Sequence, residues 1–326
     1  MESLKTPGNA PPPMAASRPL RVGSRLEKAL ASGAFAVTSE ITPNASGSPD
    51  HVRAQARILR GCTDACNVTD CQRALVRISS LAASALLVQE GVEPVMQMST
   101  RDRNRIALQA DLLGAHALGV RNVAFMSEDD PKAGNERDAM SVYDLTTEDL
   151  LAAAKKIHDS GTLRGCDAVD DPPSLFLGAT ANPFAGPPED SVVNLRGKVD
   201  AGVDFVQTQA VYDLEAFEEW MGLVRKEWLH EKAFILAGVI PLKSAKMAKF
   251  LAEKVPGIAV PSSIHHRMGR ATDAKGEGFK IALEAIERLR AVEGVRGVHV
   301  MAVEWDDIVP RIVRESGLSP RPIEPA

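Results

Sequence analysis

The sequence predicts an α/β fold, a single-domain (β/α)8 TIM barrel with a flexible N-terminal extension. Eight apolar segments alternate with amphipathic segments, which is the pattern of repeated strand–helix units. The predicted strands are residues 34–41, 65–69, 93–98, 120–126, 175–179, 203–209, 234–239 and 297–303. An open sheet with a dinucleotide site would carry a glycine-rich turn after its first strand. Residues 42–47 read Thr-Pro-Asn-Ala-Ser-Gly instead, so the closed barrel is favoured.

Segments of helical period follow these strands. The predicted helices are residues 49–59, 74–90, 104–118, 147–160, 190–201, 214–226, 243–254 and 276–292, with a last helix at 305–316. Asp213 and Ser244 are suited to cap their helices, because a short oxygen-bearing side chain can accept from a free N–H of the first turn. Residues 127–147 and 180–190 are long, polar and follow strands, which is where a barrel builds its ligand site.

The composition narrows the class of protein. Residues 1–22 contain a run of three prolines and no helical period, so we interpret them as a flexible extension and residues 23–326 as the barrel domain. A net charge of -5 gives no global attraction to nucleic acid or to anionic membranes. The chain lacks an apolar run of about 18 residues and a signal-peptide core, so a cytoplasmic protein is expected.

The cysteines and histidines were weighed as metal ligands. Cys62, Cys66 and Cys71 could act as thiolates, but their spacing is not that of a CxxC knuckle, and structural thiols are favoured. Disulfides are not expected in a reducing compartment. The one close histidine pair, His265 and His266, consists of neighbours that point to different sides, so no metal site is expected.

Polar side chains stand at the predicted strand ends. Glu40 ends the first strand, and in a parallel barrel that end opens into the active-site mouth, where a carboxyl group can give or take a proton. The other polar residues in such positions are Thr69 with Asp70, Gln97, Asp129, Thr180 with Asn182, and Gln209.

Several reaction classes lack support in the sequence. It contains neither a Gly-x-Ser-x-Gly elbow nor a phosphate-binding P-loop, and no predicted strand carries the lysine that a Schiff base requires. The predicted mouth therefore has carboxylates and amides but no electrophile of its own. Such a site indicates that a bound cofactor supplies the reactivity.

Residues 35–318 resemble the methylenetetrahydrofolate reductase family, whose members are flavin-dependent (β/α)8 enzymes that reduce 5,10-methylenetetrahydrofolate to 5-methyltetrahydrofolate. The resemblance is carried by the order and spacing of short segments. These are residues 38–43 (TSEITP), 67–70 (NVTD), 101–105 (RDRNR), 198–202 (KVDAG), 208–209 (TQ) and 237–241 (AGVIP). It implies a bound FAD, with FMN as the alternative, and a role in one-carbon metabolism and methionine biosynthesis.

The resemblance also implies residue roles toward the folate substrate. Glu40 matches the general acid that opens the methylene bridge, and Asp129 matches the aspartate beside the flavin and the pterin, with Asp130 as the alternative. Glu128 replaces the family's glycine, which removes easy access to a positive φ and adds a charge. Gln209 matches the pterin-binding glutamine. Phe250 matches the aromatic residue that stacks on the substrate, although core packing with Met247 and Leu251 is the alternative.

For the flavin, Thr69 matches a hydroxyl near the ring, Gln97 stands where some members have histidine, and Lys198 matches a lysine near the phosphates. Arg101, Arg103 and Arg105 could serve the same phosphates or simply begin a solvated helix.

The resemblance implies NADH or NADPH, or a partner protein, as the electron donor. We also expect a homo-oligomer or a subunit of a complex. Two alternatives stay open, a methyltransferase-type barrel that binds pterin without flavin and a non-catalytic subunit of a one-carbon complex.

Overall fold

The computed structural model describes residues 20–322, which form a closed barrel of eight parallel strands. Each strand pairs with the next in sequence, and β8 pairs with β1, so the predicted (β/α)8 barrel is confirmed. The strands are β1 (Ala36–Ile41), β2 (Ala65–Val68), β3 (Pro94–Ser99), β4 (Asn122–Met126), β5 (Phe176–Ala181), β6 (Phe205–Ala210), β7 (Phe234–Val239) and β8 (Val295–Val300).

Helices surround the barrel. Those in the described part of the chain are α1 (Arg25–Ala31), α2 (Asp50–Leu59), α3 (Ser80–Gln89), α4 (Arg105–Ala117), α5 (Thr147–Ser160), α6 (Pro188–Asp200), α7 (Leu214–Lys226), α8 (Ala245–Lys254), α9 (Ser262–Arg270), α10 (Ala274–Ala291) and α11 (Val309–Glu315). The predicted caps are confirmed, since Asp213 accepts from the N–H of Ala216 and Ser244 from that of Met247. Over residues 20–322, no helix is both long enough and apolar enough to cross a bilayer.

The barrel interior is divided into an apolar floor and a polar mouth. At the N-terminal ends of the strands, inward-facing side chains form one cluster that includes Phe176, Phe205 and Phe234. The rings of Phe176 and Phe205 stack with centroids 5.0 Å apart. Gly178 makes room for this stack, because a Cβ there would lie 2.3 Å from the Phe205 ring. The floor is therefore closely packed, and chemistry is confined to the other end of the strands.

A helix before the first strand, which the sequence analysis did not predict, closes this floor. Leu26 and Leu30 of α1 are fully buried in the same apolar cluster. The carboxylate of Glu93, which precedes β3, accepts from the N–H groups of Arg25 at 2.6 Å and Leu26 at 3.0 Å. A negative charge at a helix N-terminus stabilises both the free N–H groups and the helix dipole.

Residues 1–19 of the predicted N-terminal extension lie outside the described residues. Arg21, near the end of that segment, is held at the floor, where its guanidinium pairs with Asp204 at 3.1 Å and Asp159 at 2.9 Å.

The other end of the described chain is fixed at the floor as well. Arg321 donates to the carboxylate of Asp64 at 2.6 and 3.1 Å and to the carbonyl of Phe35 at 2.9 Å. Asp64 also accepts from the N–H of Val37 at 2.7 Å. Asp64 is fully buried and Arg321 nearly so, so this pair joins the strand β1, the start of β2 and the C-terminal segment in one buried contact.

Several predicted boundaries differ from the structure, and three elements differ most. Helix α3 begins at Ser80 rather than at residue 74, because Cys71, Arg73 and Ala74 have φ values of 49°, 59° and 55°, outside the helical range. Strand β8 ends at Val300, and the last helix is a short 3-10 turn followed by α11. The helix α9, which carries His265 and His266, was not predicted.

Candidate active site

Glu40 is near the end of β1, at the mouth of the barrel, and its side chain lies close to Gln97 of β3 and His299 of β8. Its Oε2 accepts from the Gln97 side-chain amide at 3.0 Å and is 3.7 Å from Nε2 of His299. The Glu40 side chain is 12% exposed, whereas His299 is buried. The carboxyl group is thus held by two neighbours and still reaches the open end of the barrel.

A hydrogen-bond network below Glu40 orients the histidine. Oγ1 of Thr38 is 2.9 Å from Nδ1 of His299 and accepts from Nε2 of Gln207 at 3.0 Å. Because the Thr38 oxygen accepts from Gln207, its hydroxyl proton is free to be donated to Nδ1. If Thr38 donates to Nδ1, the ring proton of His299 lies on Nε2, on the side of Glu40.

Two further amides fix this network. Gln207 and Asn67 exchange a pair of hydrogen bonds of 2.7 and 2.9 Å across the barrel, and both side chains are buried. Buried amides whose donors and acceptors are paired hold one geometry, because any other would leave a polar group unsatisfied.

No role was predicted from the sequence for the network residues Thr38, Asn67, Gln207 and His299. A signal was available for three of them. Strand side chains alternate between two faces, so a residue two positions before a predicted site residue shares its inward face. Thr38 precedes Glu40, Asn67 precedes Thr69 and Gln207 precedes Gln209 by two positions in this way.

The loop after β4 carries two acidic residues, Glu128 and Asp129, that differ in exposure. Glu128 has a φ of 64° and is half-buried, whereas Asp129 is exposed. Burial raises the pKa of Glu128 to about 7, the nearby Arg101 cation opposes this shift, and the Asp129 and Glu40 charges add to it. Glu128 therefore shares the mouth with Glu40. Asp129, for which the flavin and pterin role was predicted, accepts from Arg101 through its backbone carbonyl. Asp130 caps a short turn by accepting from the N–H of Lys132.

Gln209 lies on a β-bulge, where its Oε1 accepts from the N–H of Ala210 at 3.1 Å. The β6–β7 register shifts between Gln207 and Ala210, so β6 carries an extra residue opposite β7. The N–H of Gly238 donates to the hydroxyl of Thr208 at 3.0 Å. A Cβ on Gly238 would lie 2.4 Å from the carbonyl oxygen of Thr208, so the bulge requires glycine at this position.

Comparison with known proteins identifies the family. The family model for methylenetetrahydrofolate reductase matches residues 25–317. The chain belongs to the methylenetetrahydrofolate reductase family. It is 22% identical over 242 residues to methylenetetrahydrofolate reductase 1 of Schizosaccharomyces pombe, covering 70% of this chain and 36% of that protein. It is 24% identical over 189 residues to the probable methylenetetrahydrofolate reductase (NADPH) of Caenorhabditis elegans, covering 58% and 26%. The chain thus matches about a third of the length of these relatives.

A solved structure shares the barrel. An uncharacterized protein from Clostridium thermocellum that binds two copies of 5-methyl-5,6,7,8-tetrahydrofolic acid superposes with a TM-score of 0.64 at 15% identity. The match covers 90% of this chain and 98% of that one. At this identity the likeness supports the fold.

Methylenetetrahydrofolate reductases are generally associated with a flavin, and the mouth of this chain fits the ring end of one. Thr69 is fully buried, yet its hydroxyl has no hydrogen-bond partner. It follows β2 on the inward face, two residues after Asn67. Gln97 places its amide beside Glu40 on the neighbouring strand. An unpaired buried hydroxyl costs free energy, and a bound heterocycle with polar edges would pair it.

The cations predicted for the flavin phosphates are all engaged by the protein. The Lys198 ammonium donates to the Thr180 carbonyl at 2.7 Å and to Oδ1 of Asn194 at 2.8 Å, and burial lowers its pKa. The three arginines each pair with carboxylates of the chain. Arg101 pairs with Asp102, Arg103 with Asp70 and Asp111, and Arg105 with Asp144. Any of these cations would have to exchange a protein partner for a phosphate.

Phe250 is 46% exposed on α8. It is not part of the apolar cluster that Leu251 and Met247 join, so the packing alternative was wrong. Its stacking role stays a prediction.

The cysteines have no free thiolate at the mouth. Burial raises the pKa of Cys62 to about 11 and raises that of Cys66 further, so both thiols stay protonated near neutral pH. Cys66 faces outward from β2 into the core beneath the helices, as expected of a structural thiol.

Proposed function

We propose that the chain is a folate oxidoreductase that interconverts 5,10-methylenetetrahydrofolate and 5-methyltetrahydrofolate in cytoplasmic one-carbon metabolism. A bound flavin, FAD or alternatively FMN, would carry hydride from NADH, NADPH or a donor protein to the methylene carbon. The observation that carries this proposal is the Glu40 carboxyl, held between Gln97 and His299 at the open end of the barrel. Family membership gives the substrate class.

The chain's residues divide the work as follows. Glu40 holds the proton that the folate nitrogen takes up as the methylene bridge opens, because that nitrogen leaves more readily when protonated. The Gln97 amide donates to Oε2 of Glu40, where negative charge develops as the proton leaves, and Nε2 of His299 lies 3.7 Å from the same oxygen. The preorganised amide donor stabilises this charge without rearrangement.

The pterin ring would be recognised by groups on the rim. The Gln209 amide could donate to the pterin through its NH2 group, whereas its Oε1 would have to give up the N–H of Ala210 before it could accept. The pterin also presents N–H donors, for which a carboxylate is a suitable acceptor. We assign this contact to Glu128 rather than Asp129, because Glu128 is half-buried whereas Asp129 is exposed.

A second candidate is a pterin-binding barrel without flavin. It is favoured by the engagement of Lys198, Arg101, Arg103 and Arg105 with protein partners, which leaves the residues predicted for the phosphates without a free charge.

The visible spectrum of the purified protein distinguishes the two candidates, since oxidised flavin is yellow. Oxidation of 5-methyltetrahydrofolate by an artificial electron acceptor then tests the reaction. A yellow protein that turns over this folate supports the reductase. A colourless protein that binds the folate but does not oxidise it, even after added FAD or FMN, would establish the flavin-free candidate.

Gly238→Ala is expected to weaken the binding of 5-methyltetrahydrofolate. The added Cβ would lie 2.4 Å from the Thr208 carbonyl oxygen and 2.7 Å from that of Gln209, so the bulge must move and displace Gln209. Overpacking of this kind costs about 1–3 kcal/mol of stability as well. The dissociation constant from isothermal titration and the melting temperature would measure both effects.

The matched control is Gly222→Ala on α7, where the added Cβ would meet nothing closer than 3.9 Å. If Gly238→Ala bound the folate as tightly as the parent protein, the bulge would have no part in the site.

A further inference from the structure

Arg101 is a buried arginine that joins the loops following three consecutive strands. It is 1% exposed. Its guanidinium donates to the carbonyl of Cys71 in the loop after β2 and to that of Asp129 in the loop after β4, both at 3.1 Å. It also forms a two-pronged pair with Asp102 in its own loop, at 2.6 and 2.7 Å. The carbonyl of Arg101 in turn accepts from the N–H of Val142 at 2.7 Å.

Both carbonyls that Arg101 holds belong to strained turns. Cys71 has a φ of 49°, and Glu128, the residue before Asp129, has a φ of 64°. A non-glycine residue in the left-handed region costs about 1–3 kcal/mol and persists only where its surroundings fix it. Hydrogen bonds from a cation to these carbonyls are of the strong, charge-assisted type. Arg101 is thus placed to stabilise the turn that directs Glu128 into the mouth.

Glu128 is faced by charges from every loop around it. The cation is Arg101, after β3. The anions are Glu40 at the end of β1, Asp70 after β2 and Asp129 in its own loop. Asp70 is itself paired with Arg103. Among these charges Arg101 acts most strongly on Glu128, and it acts toward ionisation, against burial.

We propose that Arg101 is a positioning residue that holds the left-handed turn at Glu128 through the Asp129 carbonyl and serves as the counter-charge of the Glu128 carboxylate. Arg101 thereby helps to set the pH at which the Glu128 carboxyl loses its proton. The consequence for catalysis rests on the proposed function, since it matters only if Glu128 contacts the pterin. The placement of Glu128 by Arg101 is independent of the proposed function.

Titration of the Glu128 carboxyl by carbon NMR of glutamate-labelled protein tests the assignment without any substrate. Glu128→Gln identifies the signal by its loss. In Arg101→Gln the signal should titrate at a higher pH, because removing a nearby opposite charge disfavours the carboxylate. An unchanged titration in folded Arg101→Gln would overturn the proposal.

Arg105→Gln is the matched control. It removes the same charge four residues away, but its guanidinium is 45% exposed and pairs with Asp144, so Glu128 should titrate as in the parent protein. An equal shift in this variant would show a general charge effect and contradict the assignment to Arg101.

Asp102→Asn decides the matter if Arg101→Gln does not fold. The Asp102 side chain is 43% exposed, so this change is compatible with folding. It removes the anion that partly neutralises Arg101, and Glu128 should then titrate at lower pH. No movement would overturn the proposal.

The pH profile of 5-methyltetrahydrofolate oxidation tests whether this effect reaches catalysis. In Arg101→Gln, the part of the profile that reports Glu128 should shift in the same direction as the NMR titration. In a protein that already carries Glu128→Gln, adding Arg101→Gln should cause no such shift. A protein that shows the NMR shift but no folate turnover under any condition would refute the proposed function and leave the role of Arg101 intact.

Discussion

Glu40→Gln is expected to lower the rate of 5-methyltetrahydrofolate oxidation by about 10²-fold or more, the usual loss when a general acid–base group is removed. Glutamine keeps the size of the side chain and can still accept from Gln97, but it has no proton to exchange. The folate should still bind, because the rest of the mouth is unchanged. Stopped-flow turnover and the folate dissociation constant, measured on the same preparation, separate the two effects.

Glu304→Gln is the matched control, since Glu304 follows β8 at the same end of the barrel and its side chain is 90% exposed. Its turnover should equal that of the parent protein. Wild-type turnover in Glu40→Gln would show that another group moves the proton.

Asp64→Asn is expected to destabilise the fold by about 3–5 kcal/mol, the loss typical of breaking a buried ion pair. The amide can still accept from the N–H of Val37, but it leaves the buried Arg321 cation without its counter-charge. Urea denaturation followed by circular dichroism measures the change in the free energy of unfolding.

An exposed ion pair gives the comparison. Lys249 and Glu253 lie 3.8 Å apart on α8 with side chains 71% and 55% exposed. Glu253→Gln should therefore change the free energy of unfolding by less than about 1 kcal/mol. An Asp64→Asn protein as stable as this control would mean that Arg321 finds water or another partner.

The sequence predicted the barrel because each strand is a short apolar run that local pattern detects. It missed α9, whose nine residues include only two apolar side chains, Ile264 and Met268. It missed α1, which is only seven residues long, although Ser24 caps this helix locally by accepting from the N–H of Glu27. Helices this short depend largely on tertiary contacts, such as that of Glu93 with the first N–H groups of α1.

The positions of the site residues could be predicted only where they follow from the place of a residue in its strand. Glu40 could be found because a strand end in a parallel barrel has a known place. His299 could not, because only the closure of β8 onto β1 brings it to Glu40. The choice between Glu128 and Asp129 depended on the backbone turn at the end of β4, which no pattern specifies. The partners of Lys198 likewise depend on how α6 packs against β5.

The apolar floor under the mouth has a consequence for the order of events. Phe176, Phe205 and Phe234 fill the floor of the barrel, and Leu26 and Leu30 of α1 cover it. The barrel interior is therefore accessible from the mouth and closed at the floor. A molecule bound against Glu40 must leave by the way it entered. Two reactants that need the same inner surface cannot pass each other there, so each would delay the other at high concentration, and the first product must depart before the second reactant arrives.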